Sequence, residues 1–384
     1  MKVALFNESF PPLIDGVNIV VQNYCKELKK MGDTPIAVVP HMKNEVTGFD
    51  YQVMRFNSFN IVKSFGYPIG NPVPLSLVRK LVSEKPDILH AHSPFVAGLI
   101  ARQVRMKRRV PYIMTYHTRF EREFDSHLKN KMFRNVSEKF LVNNLAATDE
   151  LWIVSDGCAD SLRRVGYTGN YHVMHNGTDF TKGVADSYDI TELKRKYNVA
   201  DDEYLFLYVG RVEWYKNLRM SIDALYQLKK DGIKFKFLIV GKGVGMESIK
   251  RYAIEKGLTE IIFTGPVYDR EKLRVFYSAA DLFLFPSTFD TAGLVVMEAA
   301  ACNCPSLLIR GSCAAVIAVE DQDAFMCDEN TTSVYKGIKY AISDMDKLKK
   351  IGVVASQELY YPFDAAVKDA RERYQYLIEK MNKK

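Results

Sequence analysis

Two acidic residues stand out in an apolar stretch of this chain, LFLFPSTFDTAGLVVMEAAACNCP (residues 282–305). Asp290 follows a strand-like run, and Glu298 lies about one turn inside the helix predicted next. The free N–H groups where that helix begins, near Gly293, attract an anion. Burying Glu298 is costly unless something hydrogen-bonds to it, and a ribose diol would do so. A ligand site therefore competes with two structural interpretations, a salt bridge for Glu298 and an N-cap for Asp290.

Two other strand-like runs end in residues that suit a phosphate. GRVEWYKN leaves its strand through Gly210 and offers Arg211 and Lys216, while LIVGKGVG leaves through Gly241 and Gly243. Glycines let a ligand approach the backbone, although glycine turns also serve packing alone. Two cations and a helix N-terminus could hold a diphosphate and stabilise it as it departs. The three strand endings together predict a diphosphate site.

The surrounding elements are predicted to form parallel sheets, because short β-branched or aromatic runs alternate with helix-like segments. A chain of 384 residues is too long for one core, and the polar run at 176–188 indicates a break. We expect Rossmann-like domains at 1–180 and 181–362, and a long helix at 363–384. Ligands bind beyond the carboxyl ends of such strands, which predicts a cleft between the domains.

The composition is that of a globular protein, with 47% hydrophobic and 26% charged residues. The N-terminus lacks a signal-peptide pattern, and the chain contains no apolar run long enough to cross a membrane. The six cysteines show no zinc-like spacing. We expect a cytoplasmic protein with idle thiols.

Positive charge is concentrated between residues 51 and 140, which contain 16 Lys or Arg and 6 Asp or Glu. This stretch includes RQVRMKRR at 102–109 and Lys129. It could face anionic lipid, an anionic substrate or nucleic acid, or it could be a solvated helix face. We expect no nucleic-acid role, because no aromatic-interleaved strand or recognition helix accompanies the charge.

Three histidines, His90, His92 and His117, end neighbouring strand-like runs. They could suggest a metal site, but no fourth ligand with suitable spacing follows. We expect no metal, and a hydrogen-bonding role for His117.

Taken together, GRVEWYKN, VGKGVG and PSTFDTAGLVVMEAAACNCP resemble the family-4 retaining glycosyltransferases, which have the GT-B fold. NESFPPLIDGVN, PDILHAHSPFVAGLIAR, PYIMTYHT, IVSDGCADSLRRVG and HNGTD follow in the family's order, so the resemblance covers essentially the whole chain. It implies an α/β protein with two Rossmann-like domains facing across a cleft. The N-terminal domain would bind the acceptor and the C-terminal domain the nucleotide sugar, with a UDP-sugar as the expected donor and no cofactor. The helix at 363–384 would cross back to the N-terminal domain.

The resemblance also implies roles for individual residues. Arg211 and Lys216 match cations that bind the diphosphate, Asp290 matches an acid that touches the transferred sugar, and Glu298 matches an acid that holds the ribose. His117 would reach the reaction centre from the N-terminal domain. The remaining donor-binding positions implied are Gly16, Gly210, Gly241, Gly243, Thr291, Ala292, Gly293 and Leu294.

This sequence departs from the family pattern at three positions. Asp290 stands where the family has Glu, Ala315 where many relatives carry an acid, and Ala324 where they often have glycine. The shorter acid would alter the sugar preference or weaken the activity.

The acceptor is expected to be a lipid. SFPPLIDGVN and YHTRFEREF look most like the lipid-acceptor, diacylglycerol glucosyltransferase-like branch of the family. Residues 102–139 would then contact anionic lipid at the inner face of the cell membrane. The alternatives are a saccharide acceptor and a non-catalytic partner of another glycosyltransferase.

Overall fold

The computed structural model describes residues 1–13, 15–59, 69–127 and 130–383. They form two compact units, unit 1 (Met1–Gly177 with Phe363–Lys384) and unit 2 (Thr178–Pro362). The chain enters unit 2 at Thr178, whose N–H donates to the carbonyl of Tyr361 at 2.8 Å. The boundary between the two units therefore falls between Gly177 and Thr178, slightly before residue 180.

Unit 1 is built on a seven-stranded sheet with helices between the strands. Its elements are β1 (Lys2–Phe6), α1 (Gly16–Lys30), β2 (Thr34–Pro40), β3 (Gln52–Phe56), β4 (Ser58–Phe59), β5 (Ile69–Gly70), α2 (Leu75–Ser83), β6 (Ile88–Ala91), α3 (Val96–Lys107), β7 (Tyr112–Tyr116), α4 (Phe120–His127), α5 (Lys131–Ala146), β8 (Glu150–Ile153), α6 (Cys158–Arg164) and β9 (His172–Val173). The strand order is β3-β2-β1-β6-β7-β8-β9, and every pairing is parallel. The internal strand β1 is buried from Val3 to Phe6, as expected of a parallel sheet covered on both faces.

Unit 2 repeats this construction around a six-stranded sheet. Its elements are α7 (Ser187–Lys196), β10 (Tyr204–Val209), a 3₁₀ turn (Trp214–Lys216), α8 (Leu218–Lys230), β11 (Phe235–Val240), α9 (Met246–Glu255), β12 (Ile261–Gly265), α10 (Arg270–Ala279), β13 (Leu282–Phe285), α11 (Leu294–Ala301), β14 (Ser306–Ile309), β15 (Phe325–Cys327), α12 (Thr331–Ile342) and α13 (Met345–Glu358). The parallel strands run in the order β12-β11-β10-β13-β14-β15. The loops that follow β10, β11 and β13 therefore lie at one edge of this sheet.

The last helix, α14 (Phe363–Asn382), belongs to unit 1. The buried ring of Tyr374 stacks on Trp152 of β8 with centroids 5.5 Å apart, and its hydroxyl lies 2.5 Å from Nδ1 of His90. Arg373 forms a salt bridge with Glu150, at 2.5 Å. The chain thus completes its first unit with its final helix.

The predicted fold class is confirmed, since both units are α/β with parallel, doubly wound sheets. The polar run at 176–188 overlaps the first two residues of α7, which begins at Ser187. Asp186 caps this helix by accepting the N–H of Tyr188. No helix in the described part of the chain is long and apolar enough to cross a membrane.

Candidate functional site

The loops after β10 and β13 bring Lys216 and Asp290 together. The 3₁₀ turn places Lys216, 7% exposed, so that its Nζ lies 2.6 Å from Oδ1 of Asp290. The second oxygen, Oδ2, is buried and accepts no hydrogen bond from the described residues. Burial would raise the pKa of Asp290, but the bonded Lys216 and the charge of Arg211 reverse this and lower it. Asp290 is therefore an ionised acid beside two cations.

Asp290 is not the N-cap of the following helix, so that alternative was wrong. The N-cap of α11 is Gly293, at φ +56°, and it makes no side-chain capping hydrogen bond. Gly293 is required sterically, because a Cβ there would lie 2.7 Å from the Cβ of Ala314. The segment Thr291 to Leu294, which includes Ala292, thus presents the first turn of α11 beside the Lys216–Asp290 pair.

The glycines after β11 serve close backbone packing. A Cβ at Gly241 would lie 1.8 Å from the carbonyl oxygen of Gly210, and one at Gly243 would lie 2.3 Å from that of Val212. Glu213 fills the start of α9, accepting the N–H groups of Val244 and Gly245 at 2.5 and 3.1 Å. Sequence reasoning missed Glu213, whose partners are more than a helix length away in the chain. A ligand contact at Gly210, Gly241 and Gly243 stays a prediction.

Glu298 lies on α11 within a network of charges that the sequence did not reveal. Its Oε1 accepts from Nη2 of Arg270 and its Oε2 from the hydroxyl of Tyr277, both at 2.9 Å. Arg270 also forms a salt bridge with Asp179. Burial raises the pKa of Glu298, and the charge of Arg270 opposes that shift. The salt bridge considered as an alternative is present, and the contact with a ribose stays a prediction.

In unit 1, His117 follows β7 and joins a row of histidine rings. Its Nε2 lies 2.9 Å from Nδ1 of His92, and the rings of His90 and His92 are 4.1 Å apart. Burial lowers the pKa of His117 to about 3, so the ring is neutral near pH 7. Among the described residues, no group of three or more His, Cys, Asp or Glu side chains is arranged to hold a metal ion.

Gly16 lies at the start of α1, directly after the N-cap residue Asp15. Asp15 accepts the N–H of Asn18 at 2.9 Å and the hydroxyl of Ser9 at 2.6 Å. Gly16 and His117 thus belong to unit 1, whereas the other predicted site residues belong to unit 2.

The basic stretch 102–139 contains an exposed apolar surface that the charge count did not reveal. On α5, Met132, Phe133 and Val136 are 70%, 62% and 59% exposed, and Lys131 and Lys139 lie on the same helix. Other cations of the stretch are already paired, such as Arg105 with Asp149 and Arg134 with Glu138. Lys129 lies outside the described residues. We call Lys131, Met132, Phe133, Val136 and Lys139 the α5 face.

Comparison with known proteins assigns both units. Residues 14–182 match the family description "Glycosyltransferase Family 4", and residues 189–357 match "Glycosyl transferases group 1". The chain is 25% identical to alpha-monoglucosyldiacylglycerol synthase of Acholeplasma laidlawii over 80% of each chain. It is 25% identical to a GDP-mannose-dependent alpha-mannosyltransferase of Corynebacterium glutamicum, over 80% of this chain and 72% of the relative. It shares the fold of Anabaena Alr3699/HepE, solved with UDP-glucose, with a TM-score of 0.76 at 18% identity over 98% of this chain and 100% of that one.

Proposed function

Because the chain belongs to the GT-B glycosyltransferases, with a family-4 domain and a group-1 domain, and so uses a nucleotide sugar, we propose that it transfers a hexose to a lipid or glycolipid hydroxyl. The favoured donor is a UDP-sugar, and the anomeric configuration is retained. The Acholeplasma relative acts in glucosyldiacylglycerol synthesis by its name, which supports the lipid acceptor, and the UDP-glucose complex of the Anabaena protein supports the donor.

The observation that carries this proposal is the charge arrangement at the start of α11. Lys216 and Arg211 supply two cations there, and the first turn of α11 offers N–H groups without a side-chain cap. A diphosphate would accept from these groups and share Lys216 with Asp290. Because this positive charge is fixed before the reaction, it stabilises the leaving group without a metal.

The chemistry then follows from the departing diphosphate. The bond between the anomeric carbon and the diphosphate oxygen breaks, and Arg211 and Lys216 stabilise the negative charge that develops on the diphosphate. The acceptor hydroxyl attacks from the same face, and its proton passes to an oxygen of the leaving phosphate. Asp290 contacts the transferred hexose, and Glu298 accepts the ribose hydroxyls. No protein nucleophile is needed.

Three contributions complete the proposed site. The backbone at Thr291, Ala292 and Leu294 contacts the sugar and phosphate. Gly210, Gly241, Gly243 and Gly293 let the diphosphate approach the backbone. Gly16, the first residue of α1, contributes its backbone to donor binding. His117 donates or accepts a hydrogen bond as a neutral ring, consistent with its lowered pKa.

The α5 face supports a lipid acceptor. Met132 and Phe133 lie four and three residues before Val136, so each shares a face of the helix with it, and Lys131 and Lys139 flank them. Apolar side chains beside lysines suit a membrane surface containing anionic lipid. We assign this face to peripheral membrane contact.

The proposal is tested with the variant Arg211→Ala. We expect kcat/KM for transfer from UDP-glucose to diacylglycerol in mixed vesicles to fall by about 100-fold or more, because a preorganised charge on the leaving group is lost. Arg195→Ala is the matched control, since Arg195 is a 76% exposed arginine of unit 2 that pairs with Glu192, three residues away. EDTA should leave the wild-type rate unchanged, and the product should be the α-glycoside by NMR.

Other outcomes would redirect the proposal. An Arg211→Ala rate within a few-fold of wild type would contradict the leaving-group role. Transfer from GDP-mannose but not UDP-glucose would replace the donor. Nucleotide binding without transfer to any lipid or saccharide would favour a non-catalytic partner of another glycosyltransferase. In such a protein, the Asp at position 290 in place of the family's Glu would have abolished the activity.

A further inference from the structure

Arg270, the first residue of α10, is held on several sides. Its Nε donates to Oδ2 of Asp179 at 3.1 Å, and its Nη2 bonds both Asp179 and Glu298. The guanidinium also lies over the ring of Phe180, 4.5 Å from the centroid. These contacts fix the direction from which Arg270 approaches the Glu298 carboxylate.

The two protein hydrogen bonds leave Glu298 with capacity for a ligand. An ionised carboxylate offers about four acceptor positions, two on each oxygen. Arg270 uses one on Oε1 and Tyr277 uses one on Oε2. Counted over the described residues, one position on each oxygen remains, which suits the two adjacent hydroxyls of a ribose.

The charge of Glu298 depends on Arg270. The titratable groups that face this carboxylate are Arg270 and Tyr277 on α10, Asp179 before α7 and Cys302 after α11. Burial raises the pKa of Glu298 and the charge of Asp179 adds to that rise, while Arg270 and Tyr277 lower it. Without Arg270 the carboxyl would hold its proton to a higher pH and lose an acceptor position.

We propose that Arg270 is a positioning residue for donor binding, which aims the Glu298 carboxylate so that it accepts both ribose hydroxyls of the nucleotide. Asp179 fixes Arg270 in turn. This inference rests on the proposed ribose contact of Glu298.

The experiment compares the binding of UDP and 2′,3′-dideoxy-UDP by calorimetry between about pH 6 and 8.5. We expect wild type to prefer UDP by about tenfold or more at every pH, because two hydrogen bonds to a charged acceptor are lost with the dideoxy compound. Arg270→Gln should lose most of this preference at low pH and regain part of it as the pH rises. Arg270→Lys should retain more of it, Glu298→Gln should show little preference at any pH, and Arg195→Gln should match wild type.

The outcomes separate this inference from the function it rests on. If Arg270→Gln discriminates as wild type does while Glu298→Gln does not, the role of Arg270 is overturned and the ribose contact stands. If Glu298→Gln discriminates between the two nucleotides as wild type does, the ribose contact fails. The contact also fails if wild type does not discriminate between them. In either case the role of Arg270 fails with it.

Discussion

Lys216 and Asp290 show what a sequence can and cannot reveal about single residues. Their types and the strand endings that carry them indicated a phosphate site, and the structure joins them at 2.6 Å. The sequence did not reveal this pairing, because 74 positions separate the two residues. The partners of Glu298 were missed for the same reason, since Tyr277 and Arg270 lie 21 and 28 positions away.

The Lys216–Asp290 pair should also stabilise unit 2. Asp290→Asn leaves Lys216 largely buried without its charge partner, at a cost of about 2 kcal/mol, below the roughly 3–5 kcal/mol of a fully buried pair because Asp290 is 30% exposed. Since the pKa of Asp290 is lowered by folding, its contribution is complete above the unfolded value of about 3.9 and is lost as the pH falls through the folded value. Thermal unfolding of wild type and Asp290→Asn from pH 7 to about pH 3 measures this contribution. The difference in stability between the two proteins should close only at the acid end. A stability difference independent of pH would show that the carboxylate charge contributes nothing.

Elements with a strong hydrophobic pattern were predicted, and short or polar elements were not. Strands such as β10 and β11 were recognised from their largely apolar runs, YLFLYV and FKFLIV, which the structure buries at all but one position each. The three-residue β15 is too short to show a period, and the polar first turn of α7 hid its start. The exposed apolar residues of α5 could not be separated from core residues by pattern alone, because exposure depends on which elements cover them.

The α5 face gives a prediction at the scale of a single helix. Phe133→Ser should weaken binding to vesicles containing anionic lipid by about tenfold, because less apolar surface enters the interface. Val136→Ser should act in the same direction, and Val353→Ser, a 45% exposed valine on α13 of unit 2, is the matched control. Co-sedimentation at low and high salt measures the effect. Equal binding by Phe133→Ser and Val353→Ser would exclude this face as the membrane contact.

For the whole molecule, the alternation of strand and helix patterns predicted two parallel-sheet units, and this is confirmed. It was harder to predict which unit each residue belongs to near the two places where the chain passes between the units, at residues 177–178 and 362–363. Thr178 and Asp179 belong to unit 2 through Tyr361 and Arg270, which are distant in sequence. These contacts, and not the local composition, decide where each unit begins.

Each unit has its own core, which should show in how the protein unfolds. Tyr374→Ala removes a buried ring stacked on Trp152 and the hydrogen bond to His90, at a cost of about 3–5 kcal/mol to unit 1. Tyr376→Ala is the matched control, since Tyr376 is 48% exposed on the same helix.

The chain has 2 tryptophans, and Trp152 lies in unit 1 while Trp214 lies in unit 2. Fluorescence of single-tryptophan forms, with Trp214→Phe or Trp152→Phe, then reports each unit separately. We expect Tyr374→Ala to lower the midpoint seen by Trp152 and to leave that of Trp214 nearly unchanged, whereas equal shifts at both reporters would mean that the units unfold as one.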